Sequence, residues 1–116
     1  MTAPHDIPDA AGLVEAVREF LERDVMQATT GRVQFHTRVA INVLGMVERE
    51  LQRGPEQAAR HAEGLAALGY ADDAALAKAI RDGADSDAIT AFVQASVTDK
   101  LEVANPRYPG FVPRSP

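Results

Sequence analysis

The side chains with the most chemical capacity lie in one stretch, residues 32–53. Arg38, Asn42, Gly45 and Arg49 are spaced four, three and four residues apart. On a helix turning by about 100° per residue, that spacing puts them on one face. Two guanidiniums and an amide beside a glycine gap suit a carboxylate or a phosphate. A glycine inside a helix costs about 1 kcal/mol relative to alanine, and close approach of another backbone or a ligand is a common reason to keep one. The same stripe has the composition of a protein interface, whose centre enriches arginine and aromatic residues, and Phe35 lies beside it. The competing reading is that these arginines pair with Glu15, Glu19 and Glu22 of an acidic first helix.

A second row on this stretch runs His36, Ala40, Val43, Val47 and Glu50. It reads as the core-facing row, bounded by an ionisable residue at each end. His36 is expected to be a mostly buried, hydrogen-bonded histidine. Glu50 is expected to be paired, since an unpaired buried carboxylate is costly, and Lys100 is an available partner. His36, Glu50 and Lys100 are therefore assigned to the fold. The other histidines are His5 and His61, and no HxxxH or HExxH pattern occurs. There is no cysteine, which excludes disulfides and thiolate metal sites. No catalytic residue, metal site or cofactor is expected.

The other singular stretch is Asn105-Pro106-Arg107-Tyr108. Asn105-Pro106 ends a helix, because proline disfavours helical geometry in the residue before it. Arg107 and Tyr108 either form a plain turn or add to the surface begun by Arg38, Asn42, Gly45 and Arg49.

The elements that position these residues read as helices throughout. Asp9 is a candidate N-cap for a helix to about residue 26, with Leu13, Val14, Val17, Phe20, Leu21 and Val25 on one face. The central helix follows over 32–53. Gly54-Pro55 is expected to stop it and to start a third helix over 55–68. Gly69 reads as a C-terminal cap. A short fourth helix runs from Asp72 to Asp82-Gly83, and a fifth from caps at 85–87 to residue 104. No segment alternates as a strand does. The expected fold is all-α: a five-helix bundle around a long central helix, with an irregular Pro-rich C-terminal tail. The expected organisation is an arm over 1–8, a helical domain over 9–104 and the tail over 105–116.

Composition narrows the function classes. Alanine supplies 21 of the 53 apolar residues and there is no tryptophan. Such a core buries little area per residue, so self-association into a homo-oligomer is expected. The net charge of −5 argues against nucleic acid as a partner. The charge is uneven: residues 1–31 carry −4, whereas 32–53 and 105–116 each carry +2. No signal peptide and no membrane span is read from the sequence, so a cytoplasmic location is expected, with no membrane partner.

Phe35, His36, Arg38, Val39, Ala40 and Asn42, then Arg49, Glu50 and Leu51, with Lys100, Leu101 and Asn105 to Tyr108, together resemble a bacterial family of small helical domains. The resemblance covers the chain from about residue 7 to 108. Members are found beside or fused to aminoglycoside-phosphotransferase-like kinases and acyl-CoA dehydrogenases. It implies an accessory role in fatty acid or hydroxyacyl-CoA breakdown and supplies no active site. The chain has no Gly-rich phosphate loop or kinase catalytic loop of its own. The leading expectation is a non-catalytic accessory domain that binds a kinase-like or dehydrogenase-like enzyme. One alternative is a binding domain for an acyl-CoA or another phosphate-bearing ligand. The other is a bundle whose polar residues are purely structural.

Overall fold

A computed structural model describes residues 4–108. It is all-α, with no strand among the described residues. The chain divides into two compact units, Met1–Arg53 and Gly54–Pro116.

Helix α1 (Ala10–Phe20) starts where the Asp9 carboxylate accepts the Gly12 amide at 3.0 Å. It runs on through a π-helical turn (Leu21–Val25) and a last α turn (Met26–Ala28). The extra residue per turn shifts the faces of the helix after Phe20. Thr29 leaves the helix in an extended conformation, and its hydroxyl donates to the Val25 carbonyl at 2.7 Å.

Helix α2 (Gly31–Leu68) is the dominant element. It overturns the expected stop at Gly54-Pro55: the helix continues with Pro55 inside it, and the boundary between the units falls at that step. The fold therefore has four helices among the described residues rather than five. Pro55 has no N–H for the Leu51 carbonyl, which normally costs about 3 kcal/mol. Two features lower that cost. Gly54 has no Cβ to meet the proline ring. Leu51 is exposed, so water can reach its carbonyl.

Helices α3 (Asp73–Arg81) and α4 (Asp87–Ala104) complete the second unit. The chain leaves α2 and α3 by the same device. The Tyr70 amide donates to Leu65 and the Gly69 amide to Ala66, each at 3.0 Å. After α3, Ala84 reaches Ala79 and Gly83 reaches Ile80. Both motifs need a left-handed residue, which Gly69 (φ +87°) and Gly83 (φ +104°) supply. Asp72 and Ser86 cap the helices that follow, accepting from Ala75 and Ile89.

Each unit has its own seam. In the first, the Gln34 amide donates to the Met26 carbonyl at 3.1 Å and Arg18 pairs with Glu48, so α1 and the first part of α2 run antiparallel. In the second, Gln57 donates to the Asp99 carbonyl, Arg60 pairs with the Asp99 carboxylate, and His61 and Gly64 meet Phe92. The last part of α2 and α4 are thus antiparallel too. Leu65 and Leu76 are the buried apolar side chains. No helix among the described residues is long and apolar enough to cross a membrane. Of the expected Pro-rich tail, 109–116 lie outside the described residues.

Pro55→Ala should restore the missing helical hydrogen bond and raise the unfolding free energy by about 1–3 kcal/mol. Urea unfolding followed by circular dichroism measures it.

Candidate functional site

The seam of the first unit sets which residues of α2 reach the surface. The buried residues there are Thr37 and Glu48, each 7% exposed, and Gln34, Ile41 and Leu44 are half-buried on the same side. The expected core row is not this one. His36 and Glu50 are exposed, and Val43 is nearly half exposed. The seam lies about one residue, or roughly 100°, further round the helix than the apolar pattern suggests.

The physical reason is Arg18. From α1, its guanidinium grips both oxygens of Glu48 and also bonds Glu22 Oε1 at 2.9 Å. A charged pair removed from water must be matched closely, and the match turns Glu48 inward. The hydrogen bonds that Arg18 donates to Glu48 and Glu22 raise its pKa further above the usual value, so it stays charged throughout. Thr37 satisfies its own hydroxyl by donating to the Val33 carbonyl at 2.7 Å.

The same chemistry decides the fate of the arginine stripe. Two acidic residues of the first helical segment are engaged by its own arginines: Glu22 with Arg18, and Glu19 with Arg23 at 3.1 Å. Glu15 lies beside Glu19, whose hydrogen bond and charge raise the Glu15 pKa. Arg38 is exposed and makes no ion pair among the described residues. Asn42 is exposed beside it, and Arg49 is half-buried. A Cβ added to Gly45 would sit 3.3 Å from Arg49 Nη1, so the helix glycine makes room for that guanidinium. Phe35 stands exposed with its ring edge-on to His36, 5.5 Å between centroids.

Asn105, Arg107 and Tyr108 belong to the second unit. Asn105 closes α4 by donating to the Leu101 carbonyl at 2.8 Å. The Tyr108 amide then returns to the Asn105 carbonyl at 3.1 Å, a β-turn with Pro106 at its second position. All three site residues are exposed, and so is Lys100.

One constellation escaped the sequence reading. In the second unit, His61 Nε2 lies 2.6 Å from Asp73 Oδ1, and Ser96 Oγ lies 3.4 Å from His61 Nδ1. The His61 ring also stacks at a tilt on Phe92, 5.0 Å away. Arg60, His61, Gly64, Phe92, Ser96 and Asp99 line a cavity of about 410 Å³. The order of groups is that of a nucleophilic triad, but the geometry is not. Ser96 sits mid-helix and its hydroxyl donates to the Phe92 carbonyl at 3.0 Å. Backbone amides around it are spent on the helix, so none is aimed as an oxyanion donor. A Cβ on Gly64 would come within 2.6 Å of the Phe92 ring, which marks this as a tightly fitted seam. Three residues from three helices meet here, at separations no local motif encodes. Among the described residues, no group of three histidine or acidic side chains could hold a metal.

Removing one partner of the buried pair should be expensive, whereas the histidine first assigned to the core should not matter. Glu48→Ala should cost about 3 kcal/mol and His36→Ala less than about 0.5 kcal/mol, both read from urea unfolding.

Comparison with curated proteins finds no match. Comparison with solved structures finds none either. A family model described as a domain of unknown function, DUF6285, matches residues 27–108, which include all of α2, α3 and α4 and the turn after them. The chain belongs to the DUF6285 family.

Proposed function

We propose that this chain is a non-catalytic accessory domain. It docks through Arg38, Asn42, Gly45 and Arg49 onto an enzyme of the acyl-CoA dehydrogenase or phosphotransferase kind to which its sequence resemblance points. In the second unit, Asn105, Arg107 and Tyr108 form an exposed element of their own, which offers a cation and a phenol for binding. The observation that carries this reading is the state of Arg38. An exposed guanidinium without an ion pair, on a chain of net charge −5, is a localised basic feature on an acidic protein. Such a feature steers and orients an acidic partner surface more than it stabilises the domain. Two carboxylates of the first helical segment, Glu22 and Glu19, are bound to Arg18 and Arg23 instead.

The test uses the purified chain with an acyl-CoA dehydrogenase and an aminoglycoside-phosphotransferase-like kinase from the same organism. One of the two should bind in calorimetry, and Arg38→Glu should weaken that binding at least tenfold, or about 1.4 kcal/mol. Unchanged binding by the variant would remove this face. Failure of both enzymes, with a thermal shift by a CoA ester that Arg38→Ala abolishes, would transfer the face to a ligand.

A further inference from the structure

Beside the arginine stripe, α2 carries a second outward row that the proposed docking does not use. Phe35, Val39, Val43 and Met46 are 58%, 43%, 48% and 38% exposed, and the row ends in exposed Glu50. It lies on the far side of the helix from buried Thr37 and Glu48. Among the described residues, the fully buried apolar side chains, Leu65 and Leu76, both belong to the second unit. Apolar burial at about 25 cal/mol per Å² is the main term holding helices together. Among the described residues of this unit only Thr37 and Glu48 are fully buried and the apolar side chains of its seam are half-buried, so a permanent cover for this row would add the apolar burial it lacks. A permanent cover must be present whenever the chain is, and another copy of the chain meets that condition.

Helix α4 carries a matching row. Val93 and Val97 are 40% and 49% exposed, and Lys100 is exposed next along the same face. Taken in the same chain direction, Glu50, Met46, Val43 and Val39 fall against Lys100, Val97, Val93 and Ile89 over about three helical turns. Charge meets opposite charge and apolar meets apolar. Neither Glu50 nor Lys100 makes an ion pair among the described residues. The surrounding charges agree: 32–53 carries four arginines against two glutamates, and 87–104 carries three acidic residues against one lysine.

We propose that a second copy of this chain covers the Phe35–Val39–Val43–Met46 row with the Val93 and Val97 row of its α4, locked by its Lys100 on Glu50. Each copy offers both rows, and two copies that exchange both form a closed pair. The arginine stripe stays outside this contact, about a quarter-turn round α2 from the centre of the row.

Sedimentation equilibrium on the full chain should give twice the 12.4 kDa monomer mass at micromolar concentration. Glu50→Lys or Lys100→Glu alone should weaken the dimer about tenfold. The two reversals combined should restore it to within about threefold, because the pair is re-formed with its signs exchanged. Circular dichroism of each variant checks that the helices persist, and a folded double variant keeps the test decisive if a single variant unfolds. Arg38→Glu should leave the dimer intact, which separates this contact from the docking face. A monomeric mass at every concentration overturns the proposal. So does a dimer indifferent to both reversals, or one that the double reversal fails to restore.

Discussion

The Arg18–Glu48 pair is the constraint on which the first unit depends. It joins α1 to α2 across 30 residues of chain, with the Glu48 side chain only 9% exposed. A buried ion pair is weak evidence of net stability, because desolvating two charges offsets most of their attraction. Its effect here is on orientation. The pair fixes the rotation of the first part of α2, residues 31–53, against α1, and the other positions there follow from that rotation. With Glu48 turned inward, Gln34, Thr37, Ile41 and Leu44 share the seam. Arg38 and Asn42 fall to one side, and Phe35, Val39, Val43 and Met46 turn outward.

The second unit is fastened differently. Its seam relies on shape: Gly64 lets the Phe92 ring lie against the α2 backbone, and His61 stacks on that ring while reaching Asp73 of α3. One imidazole thus touches two neighbouring helices. The Arg60–Asp99 pair sits at the edge of the same cavity, and Arg60 also holds Glu56 one turn earlier at 3.0 Å. A cavity walled by residues already bonded to one another is a by-product of joining three helices.

Local chemistry was legible in the sequence, and long-range pairing was not. Asp9, Asp72 and Ser86 cap helices because a short polar side chain before an apolar run has one good use. Gly69 closes α2 and Asn105-Pro106 closes α4 for equally local reasons. The seam of α2 was hidden because its most buried members are polar. The apolar pattern favours the row through Val43 and Val47, and nothing near Glu48 in the sequence announces that Arg18 will meet it. The break expected at Gly54-Pro55 failed for a related reason. Proline penalises a helix without forbidding it, and the same Gly54 that suggests a stop also lessens the clash that would enforce one. The π-helical turn after Phe20 has no sequence signal of its own.

These constraints explain how an acidic chain keeps a basic feature. The carboxylates of α1 could have neutralised α2. Instead Glu19 and Glu22 are held by Arg23 and Arg18 one turn away, and Glu48 is taken inward by the same Arg18. Arg18 thus engages two carboxylates at once. Burying Glu48 sets the rotation of the first part of α2 and takes one carboxylate off the surface of the unit. The orientation of that part of α2 and the charges its faces present are therefore set by the same pair.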